Sequence, residues 1–349
     1  MAAVTFAVPG SLDQPTGGYK YDRRVIAGLR QRGCEVDVIN LGEGFPRPAP
    51  ETVHAALPRL RRVPAGQPIV VDGLALGVLS DAAAALRSSH RLIALVHHPL
   101  ALESGLTPAE TVALRDSERA ALAAVARVVV TSPATRRILT ADYGVPAEIV
   151  AVALPGVERP AAAVVARKSA GQTINLLAVG AVVPRKGYDI LIEAVDQLAD
   201  LDWQLVIAGD CKRDLATAGE LATTIAHKRL EPLVCLAGAT NEHQLAALYR
   251  DADVFVLASR FEGYGMAYAE AIAHGLPVIG TWAGAVPDTV PPAAGILVPP
   301  DDAAALAAAL RSMIADAGLR QRCAAAARAA PLPTWEAAIQ TFLDVLQTA

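Results

Sequence analysis

Short apolar runs alternate with longer helical segments along most of the chain. In the first half, the runs AVTFAV, PIVV and RVVV each precede an alanine- and leucine-rich segment, after which a second apolar run follows. Apolar runs of this length are typical of buried strands, and the longer segments are typical of helices. Because strands that alternate with helices form parallel sheets covered on both faces, the pattern predicts an α/β fold.

The pattern is interrupted once and then restarts. Residues 158–172 carry no strong period, and we interpret them as a linker. After them come five predicted strands, TINLLAV, WQLVIAGD, LVCLAGA, DVFVLAS and LPVIGT, and the chain finishes with an amphipathic helix in TWEAAIQTFLDVLQ. We therefore predict an N-terminal Rossmann-like domain at 1–157 and a C-terminal one at 173–329.

Composition and charge exclude several classes of protein. The chain has 349 residues, of which 53% are hydrophobic, so two well-buried domains are expected and a disordered chain is not. The net charge of −4 argues against a nucleic-acid-binding protein, which would carry a basic excess. Pro9-Gly10 ends the first apolar run, and we interpret that run as a strand and not as a signal peptide.

Neither a membrane span nor a cysteine framework is predicted. No apolar run approaches the ~20 residues of a spanning helix, because Arg127 interrupts the longest candidate. The four cysteines lie far apart, which fits neither a disulfide framework nor a zinc pattern. We expect reduced thiols in a cytoplasmic protein.

A basic turn follows the first strand of the second half. The stretch VGAVVPRKGYD places Arg185, Lys186 and Gly187 between a strand and a helix. Two cations and a glycine at a helix N-terminus suit a diphosphate, because backbone donors add to the side-chain charges. A solvated basic turn would show the same residues, and the spacing alone does not decide between them.

Two glutamates flank a glycine-rich helix start in SRFEGYGMAYAEAIA. We predict that the helix begins near Gly265 or Met266, which places Glu262 on the loop and Glu270 about one turn inside the helix. Eight residues of helix rise ~12 Å, whereas the carboxylates of a glycosidase pair lie about 5–9.5 Å apart. The spacing therefore fits two ends of an extended ligand, although each glutamate also has an ordinary interpretation as a solvated or helix-start acid.

The stretch FEGYGMAYAEAIAHGLPVIGT resembles the Glu-x(7)-Glu signature of the family 4 retaining glycosyltransferases (glycosyl transferases group 1). The segments VGAVVPRKGYD, LVIAGD and AGILVPPDDAAALAAAL match the usual succession in that family. The resemblance is specific from about 173 to 310 and weaker in the first half. It implies the GT-B fold, in which two Rossmann-like domains with parallel sheets face a central cleft. It also implies that a final helix, here within 330–349, crosses back to the first domain.

The resemblance assigns a role to each part of the glutamate signature. Glu262 matches the residue that holds hydroxyls of the donor sugar, and Glu270 matches the residue that holds the ribose hydroxyls. The backbone between them matches the segment that contacts the sugar and phosphates, namely Gly263, Tyr264, Gly265 and Met266.

The remaining donor contacts follow in the same way. Lys186 matches the phosphate lysine of the family. The family usually has an arginine directly after the first strand's glycine, and since this chain has Ala181 there, Arg185 is expected to supply the charge. Gly238 and Ala239 match the backbone that frames the nucleobase.

In the first domain the resemblance is limited to two places. Gly17-Gly18 resembles the glycine loop that approaches the phosphates, and His97 matches a histidine near the reaction centre. His98 stands where the family often has aspartate. Three other histidines are interpreted as surface or packing residues, namely His227, His243 and His274.

Two Asp-x-Asp pairs mimic the metal site of the other glycosyltransferase fold. We expect Asp200–Asp202 and Asp251–Asp253 to lie at the amino ends of strands, away from the ligand edge of the sheet. We therefore predict no metal and no cofactor. Positive charge at the leaving diphosphate would come from Arg185, Lys186 and the helix N-terminus.

Taken with the resemblance, these residues predict a retaining transferase that moves a hexose from a UDP- or GDP-sugar to an acceptor hydroxyl. Two alternatives stay open, a GT-B sugar-nucleotide epimerase and a non-catalytic sugar-nucleotide binder. The acceptor would be a glycan, a glycolipid or a small hydroxyl compound. The basic and apolar patch at 57–63 is either a contact for anionic lipid at the membrane face or a solvated helix end. Pro58 and Pro64 are expected to limit any helix there to about two turns.

Overall fold

A computed structural model describes residues 3–14, 16–103, 105–160 and 172–348. The predicted linker at 158–172 falls mostly outside these residues. The chain divides into two compact units. Unit 1 comprises 1–156 together with 333–349, and unit 2 comprises 157–332.

Unit 1 is built on a parallel sheet of six strands in the order β2-β1-β3-β4-β5-β6. The strands are β1 (Ala3–Val8), β2 (Glu35–Asn40), β3 (Ile69–Asp72), β4 (Leu92–Val96), β5 (Arg127–Val130) and β6 (Val150–Val152). The helices between them are α1 (Gly17–Gln31), α2 (Pro50–Leu60), α3 (Gly73–Leu76), α4 (Ser80–Leu86), α5 (Pro108–Leu122) and α6 (Pro133–Asp142).

Unit 2 repeats the plan, with a parallel sheet in the order β12-β11-β10-β7-β8-β9. Its strands are β7 (Ile174–Val179), β8 (Trp203–Ala208), β9 (Val234–Gly238), β10 (Val254–Val256), β11 (Val278–Thr281) and β12 (Gly295–Val298). Its helices are α7 (Tyr188–Asp196), α8 (Leu215–His227), α9 (Glu242–Asp251), α10 (Met266–Ala273), α11 (Val286–Thr289), α12 (Ala303–Ala315) and α13 (Ala317–Ala329).

The last helix, α14 (Trp335–Thr348), belongs to unit 1. It packs closely on α1, where a Cβ added to Gly28 would lie 2.0 Å from Ile339 Cδ1. Two guanidinium groups hold its C-terminal end, since Arg91 donates to Leu346 O at 2.9 Å and Arg127 donates to Thr348 O at 2.8 Å. Cations at this position complement the helix dipole and satisfy carbonyls that have no intrahelical partner.

The strand order creates a switch point in each unit. The first strand of unit 1, β1, lies between β2 and β3, and the first strand of unit 2, β7, lies between β8 and β10. At such a point the loops after two neighbouring strands diverge to opposite faces of the sheet, and open α/β sheets bind ligands in the resulting crevice. The loops after β1 and β3, and those after β7 and β10, therefore locate the candidate sites.

The predicted α/β fold class is confirmed, and two details of the structure differ from the sequence-based prediction. The short strand β12 was not predicted. Pro58 and Pro64 were expected to limit the helix near 57–63 to two turns, but α2 has 11 residues with Pro58 inside it.

The patch at 57–63 is the end of α2 and the turn that follows it. Leu60 and Val63 are 3% and 6% exposed and belong to the core, while Arg61 and Arg62 are exposed. Two apolar side chains of the patch are thus buried in the core, and Leu57 packs partly against it. Contact of the patch with anionic lipid stays a prediction. No helix in the described part of the chain has the length and apolar character needed to cross a membrane.

Candidate functional site

A buried ion pair connects the two loops at the switch point of unit 2. Lys186 ends the turn Pro184–Lys186 after β7, and Glu262 lies on the loop between β10 and α10. Lys186 Nζ donates to Glu262 Oε1 at 2.6 Å, and Ser259 Oγ donates to the same oxygen at 2.6 Å. The lysine and glutamate side chains are only 14% and 7% exposed.

Arg185 adds a second positive charge beside Glu262. Its Nη1 lies 3.5 Å from Glu262 Oε2 and donates to Phe261 O at 2.8 Å. Burial alone would raise the pKa of Glu262, but the charges of Lys186 and Arg185 outweigh it and lower that pKa to about 2. Glu262 is therefore a carboxylate at neutral pH. It can accept hydrogen bonds, and it lies beside two cations.

Arg260 connects the turn after β7 to the loop after β10. Its guanidinium forms a fork with Asp189, at 3.0 and 2.7 Å, and also donates to Asp301 at 2.7 Å. Its backbone N–H donates to Arg185 O at 2.8 Å. These contacts fix the turn that carries Arg185 and Lys186 against the loop that carries Glu262.

The helix start predicted near Gly265 or Met266 is confirmed. Helix α10 begins at Met266, and Gly265 precedes it with φ 89°, a left-handed conformation that favours glycine. Gly263 and Tyr264 are buried in the same loop. Since the first N–H groups of a helix lack intrahelical acceptors, this segment offers backbone donors next to Glu262.

Glu270 lies inside α10, as expected, and is partly exposed. Tyr249 donates its hydroxyl to Glu270 Oε2 at 3.1 Å, and the Tyr249 ring stacks on His274 with centroids 4.7 Å apart. Gly238 ends β9 with φ 69°, and its carbonyl accepts from Gly209 N at 2.9 Å. Ala239 follows Gly238 directly, so both lie at the carboxyl edge of the sheet of unit 2.

The Asp-x-Asp pairs lie where the sequence predicted. Asp251 ends α9 and Asp253 precedes β10, where the Asp253 carboxylate accepts from the backbone N–H of Asn175 at 2.8 Å. Asp202 accepts from the Thr173 hydroxyl at 2.9 Å, just before β7. Both contacts are at the amino ends of the strands, on the edge opposite to Lys186 and Glu262.

In unit 1, His97 directly follows β4 and lies near two aspartates. Its Nε2 lies 3.2 Å from Asp22 Oδ1 and 3.6 Å from Asp72 Oδ2. Asp22 is on α1 and Asp72 ends β3, so three elements meet here. Gly18 lies beside the ring, because a Cβ added to it would be 3.4 Å from His97 Cδ2.

The surroundings of this cluster alter both pKa values. Burial lowers the pKa of His97, but Asp22 and then Asp72 more than offset it and raise that pKa to about 10. Burial raises the pKa of Asp22 to about 7, opposed by His97 and reinforced by Asp72. Among the described residues, Asp22, Asp72 and His97 are the group with the donor atoms and proximity that a metal ion needs.

Asp22 and Asp72 were not predicted from the sequence as site residues. Asp22 stands among Tyr and Arg residues in a helix, where an aspartate is usually a surface residue, and nothing local indicates its burial. The neighbouring His98 is not part of the cluster, since its Nε2 faces Glu103 at 3.0 Å. The predicted roles of Gly18 and His97 in binding and catalysis stay predictions.

The cysteines are free thiols, as predicted. Cys34 and Cys323 are buried, Cys211 is partly buried and Cys235 is exposed. His227 and His243 lie on the outer helices α8 and α9, and His274 packs on Tyr249.

Known protein families and structures match both units. The family description "Glycosyl transferases group 1" matches residues 165–330, and "Glycosyltransferase Family 4" matches residues 17–159. A D-inositol 3-phosphate glycosyltransferase of Streptomyces bingchenggensis is 32% identical over 262 residues, which are 70% of this chain and 57% of that protein. The chain thus matches little more than half the length of this curated relative.

Solved structures match nearly the whole chain at lower identity. Sucrose-phosphate synthase from Thermosynechococcus elongatus has a TM-score of 0.83 at 22% identity, covering 99% of this chain and 98% of that one. Anabaena HepE, solved in complex with UDP-glucose, has a TM-score of 0.78 at 18% identity, covering 100% of both chains. At these identities the likeness shows the fold, which is GT-B. From the two family matches and the fold together, the chain belongs to the group 1 glycosyl transferases, glycosyltransferase family 4.

Proposed function

We propose that the protein is a retaining hexosyltransferase that uses a nucleotide diphosphate sugar as donor and a hydroxyl group as acceptor. The observation that carries this proposal is the Lys186–Glu262 pair at the switch point of unit 2, with Arg185 beside it. A buried carboxylate suits sugar hydroxyls, and two adjacent cations beside a helix N-terminus suit a diphosphate.

Each group in unit 2 has a proposed task. Glu262 accepts hydrogen bonds from donor-sugar hydroxyls, and Glu270 accepts them from the ribose. Lys186 and Arg185 stabilise the charge that develops on the diphosphate, together with the N–H groups at the start of α10. The backbone at Gly238 and Ala239 borders the nucleobase.

The reaction breaks the bond between the sugar C1 and the diphosphate oxygen. The acceptor oxygen forms a new bond to C1 on the same face, which gives an α-linkage. The acceptor proton passes to an oxygen of the leaving phosphate, so the protein groups mainly position the reactants and stabilise charge. We propose that this step needs no metal ion at the diphosphate.

For the donor, we propose UDP-hexose first and GDP-hexose second. UDP-glucose is bound by the Anabaena neighbour, and the Streptomyces relative is named a D-inositol 3-phosphate glycosyltransferase. Assembly of a glycan, a lipopolysaccharide or a glycolipid is the corresponding cellular role.

The test is transfer by the purified chain from UDP-, GDP- and ADP-hexoses to a panel of hydroxyl acceptors. Products are identified by mass spectrometry, and the anomeric configuration by NMR. Glu262→Ala and Lys186→Ala should abolish transfer while circular dichroism shows a folded protein, and the exposed Glu220→Gln should transfer normally. Normal turnover in both site variants would contradict the proposal.

Two other outcomes would replace the proposal with an alternative. Conversion of UDP-N-acetylglucosamine to its epimer without an acceptor would identify an epimerase. Tight binding of a nucleotide sugar, with no transfer to any acceptor, would identify a non-catalytic binder.

A further inference from the structure

We propose that Asp22, Asp72 and His97 of unit 1 form a binding site for one divalent transition-metal ion. Its three ligands belong to unit 1, whereas Arg185, Lys186 and Glu262 belong to unit 2. The sequence-based prediction of no metal considered the Asp-x-Asp pairs, whereas this cluster is assembled by tertiary structure from residues 50 and 25 positions apart.

The three ligands converge at the switch point of unit 1. Asp22 is on α1, the helix that follows β1, and Asp72 ends the neighbouring strand β3. His97 follows β4, the next strand of the same sheet. This is the edge at which open α/β sheets bind their ligands.

The distances among the three donor atoms are compatible with a shared cation, since all of these atoms lie within 4.8 Å of one another. Donors about 2.1 Å from one tetrahedral ion lie about 3.4 Å apart. His97 Nε2 lies 3.2 Å and 3.6 Å from the two aspartate oxygens, on either side of that value. Nε2 makes no aligned hydrogen bond to either oxygen, so the nitrogen points between the carboxylates.

Buried polar atoms at the cluster lack aligned hydrogen-bond partners. Asp22 is 0% exposed, and within the described residues neither of its carboxylate oxygens has a hydrogen-bond donor. A buried carboxylate without donors or a counter-charge is strongly unfavourable. A divalent ion with a neutral imidazole would balance both carboxylates and supply the partner that the Asp22 oxygens lack.

The surrounding contacts orient the ligands. Asp72 Oδ1 accepts from Leu74 N at 2.7 Å, which leaves Oδ2 to face the cluster. The ring of Tyr21 packs edge-on against the His97 ring, with centroids 5.5 Å apart. Such outer contacts fix the direction of metal ligands.

The donor set indicates the kind of ion. One imidazole and two carboxylates suit Zn²⁺, Mn²⁺ or Co²⁺, whereas Ca²⁺ and Mg²⁺ prefer sites made of oxygen alone. Three protein ligands leave a coordination position for water or for a hydroxyl of a bound molecule.

The experiment measures metal binding by the full chain without donor or acceptor. Protein stripped with a chelator is titrated calorimetrically with ZnCl₂ and with MnCl₂, and metal content after dialysis is measured by mass spectrometry. We expect one equivalent of ion per chain. Asp22→Asn and His97→Ala should each weaken binding at least 100-fold.

Two matched controls should bind the ion as the wild type does. His98→Ala removes the adjacent histidine outside the cluster, and Glu118→Gln removes the charge of another buried carboxylate of unit 1. As a measurement that needs no variant, Co²⁺ added to the stripped wild type should give the intense visible absorption of a low-coordinate nitrogen- and oxygen-bound ion.

Two results would overturn the proposal. One is the absence of stoichiometric binding of Zn²⁺, Mn²⁺ and Co²⁺ by folded wild-type protein, which would leave protons or water as the occupant. The other is undiminished binding in folded Asp22→Asn and His97→Ala. Neither result bears on transfer activity, which is measured separately.

Discussion

Lys186 Nζ lies 2.6 Å from Glu262 Oε1, although 76 residues separate the two in the chain. They meet because β7 and β10 are neighbours in the sheet, so the loops that follow these strands start side by side. The pair therefore joins the proposed diphosphate contact to the proposed sugar contact. Removal of either partner would leave the other charge buried without its compensation.

Lys186→Met should lower the free energy of unfolding by about 3 kcal/mol, because it leaves the buried Glu262 carboxylate with a weaker counter-charge. The double variant with Glu262→Gln should cost less than the sum of the single changes, since the two residues interact directly. Urea denaturation measures both quantities.

Lys228→Met is the control for this prediction. Lys228 donates to Asp196 at the same distance, 2.6 Å, but the two side chains are 26% and 37% exposed. A partly exposed pair contributes about 1 kcal/mol or less. Equal losses in Lys186→Met and Lys228→Met would show that burial of the first pair is energetically unimportant.

Arg260→Met should weaken binding of a nucleoside diphosphate about 10-fold, or ~1.4 kcal/mol. The change removes the fork to Asp189 and the contact to Asp301 that hold the turn with Arg185 and Lys186. Arg311→Met is the control, because Arg311 forms a similar fork with Asp200, at 2.6 and 2.8 Å, away from the turn. Calorimetric titration of both variants with a nucleoside diphosphate measures the difference in affinity. Equal affinities of the two variants would refute the positioning role of Arg260.

Gly187→Ala should destabilise the fold by about 2 kcal/mol or more, because the cost of a strained backbone is added to that of a steric clash. Gly187 has φ 65°, and an added Cβ would lie 2.0 Å from Ala258 O. Gly219→Ala, inside α8 with nothing within 4 Å of its added Cβ, should instead stabilise the protein. The expected gain is about 0.5–1 kcal/mol, and thermal unfolding distinguishes the two signs.

Glu118 should make the stability of the protein fall as pH rises. Burial raises its pKa to about 7, while the hydrogen bond from Leu100 N opposes the shift. Because the folded pKa exceeds the ordinary value of about 4.3, the folded state binds this proton more tightly than the unfolded state. The stabilisation is complete below pH ~4.3 and is lost as pH rises through about 7.

Glu118→Gln removes this titration. Its free energy of unfolding relative to wild type should therefore increase from about pH 4 to pH 8, by up to about 3 kcal/mol. Denaturant titrations at both values measure the change. The exposed Glu220→Gln should follow the wild-type pH dependence, and the same behaviour in Glu118→Gln would be evidence against a raised pKa.

Local patterns were sufficient to predict the α/β class and the start of α10. Both depend on short-range properties, namely the length of apolar runs and the glycines around Met266. The strand β12 was missed because its four residues, GILV, stand next to prolines and are too few for a clear period. The length of α2 was underestimated because Pro58 is tolerated near the helix end.

The composition of the sites was harder to predict than the fold. The signature identified Glu262 and Lys186 separately, but their contact depends on which strands are neighbours, and strand order is not a local property. Asp22 is the clearest case, since it is completely buried beside Asp72 and His97, and no feature of the helix itself indicates this.

The most direct test of the central claim is thermal unfolding of the wild type and of Lys186→Met with UDP, GDP, ADP and their hexose conjugates, without added metal. A ligand at 100 times its dissociation constant should stabilise the folded protein by ~2.7 kcal/mol. We predict a clear rise in the unfolding temperature of the wild type with one nucleotide and its conjugate, and a much smaller rise in Lys186→Met. No rise with any of these ligands on folded wild-type protein, or an equal rise in both proteins, would contradict a nucleotide-sugar site at Lys186 and Glu262.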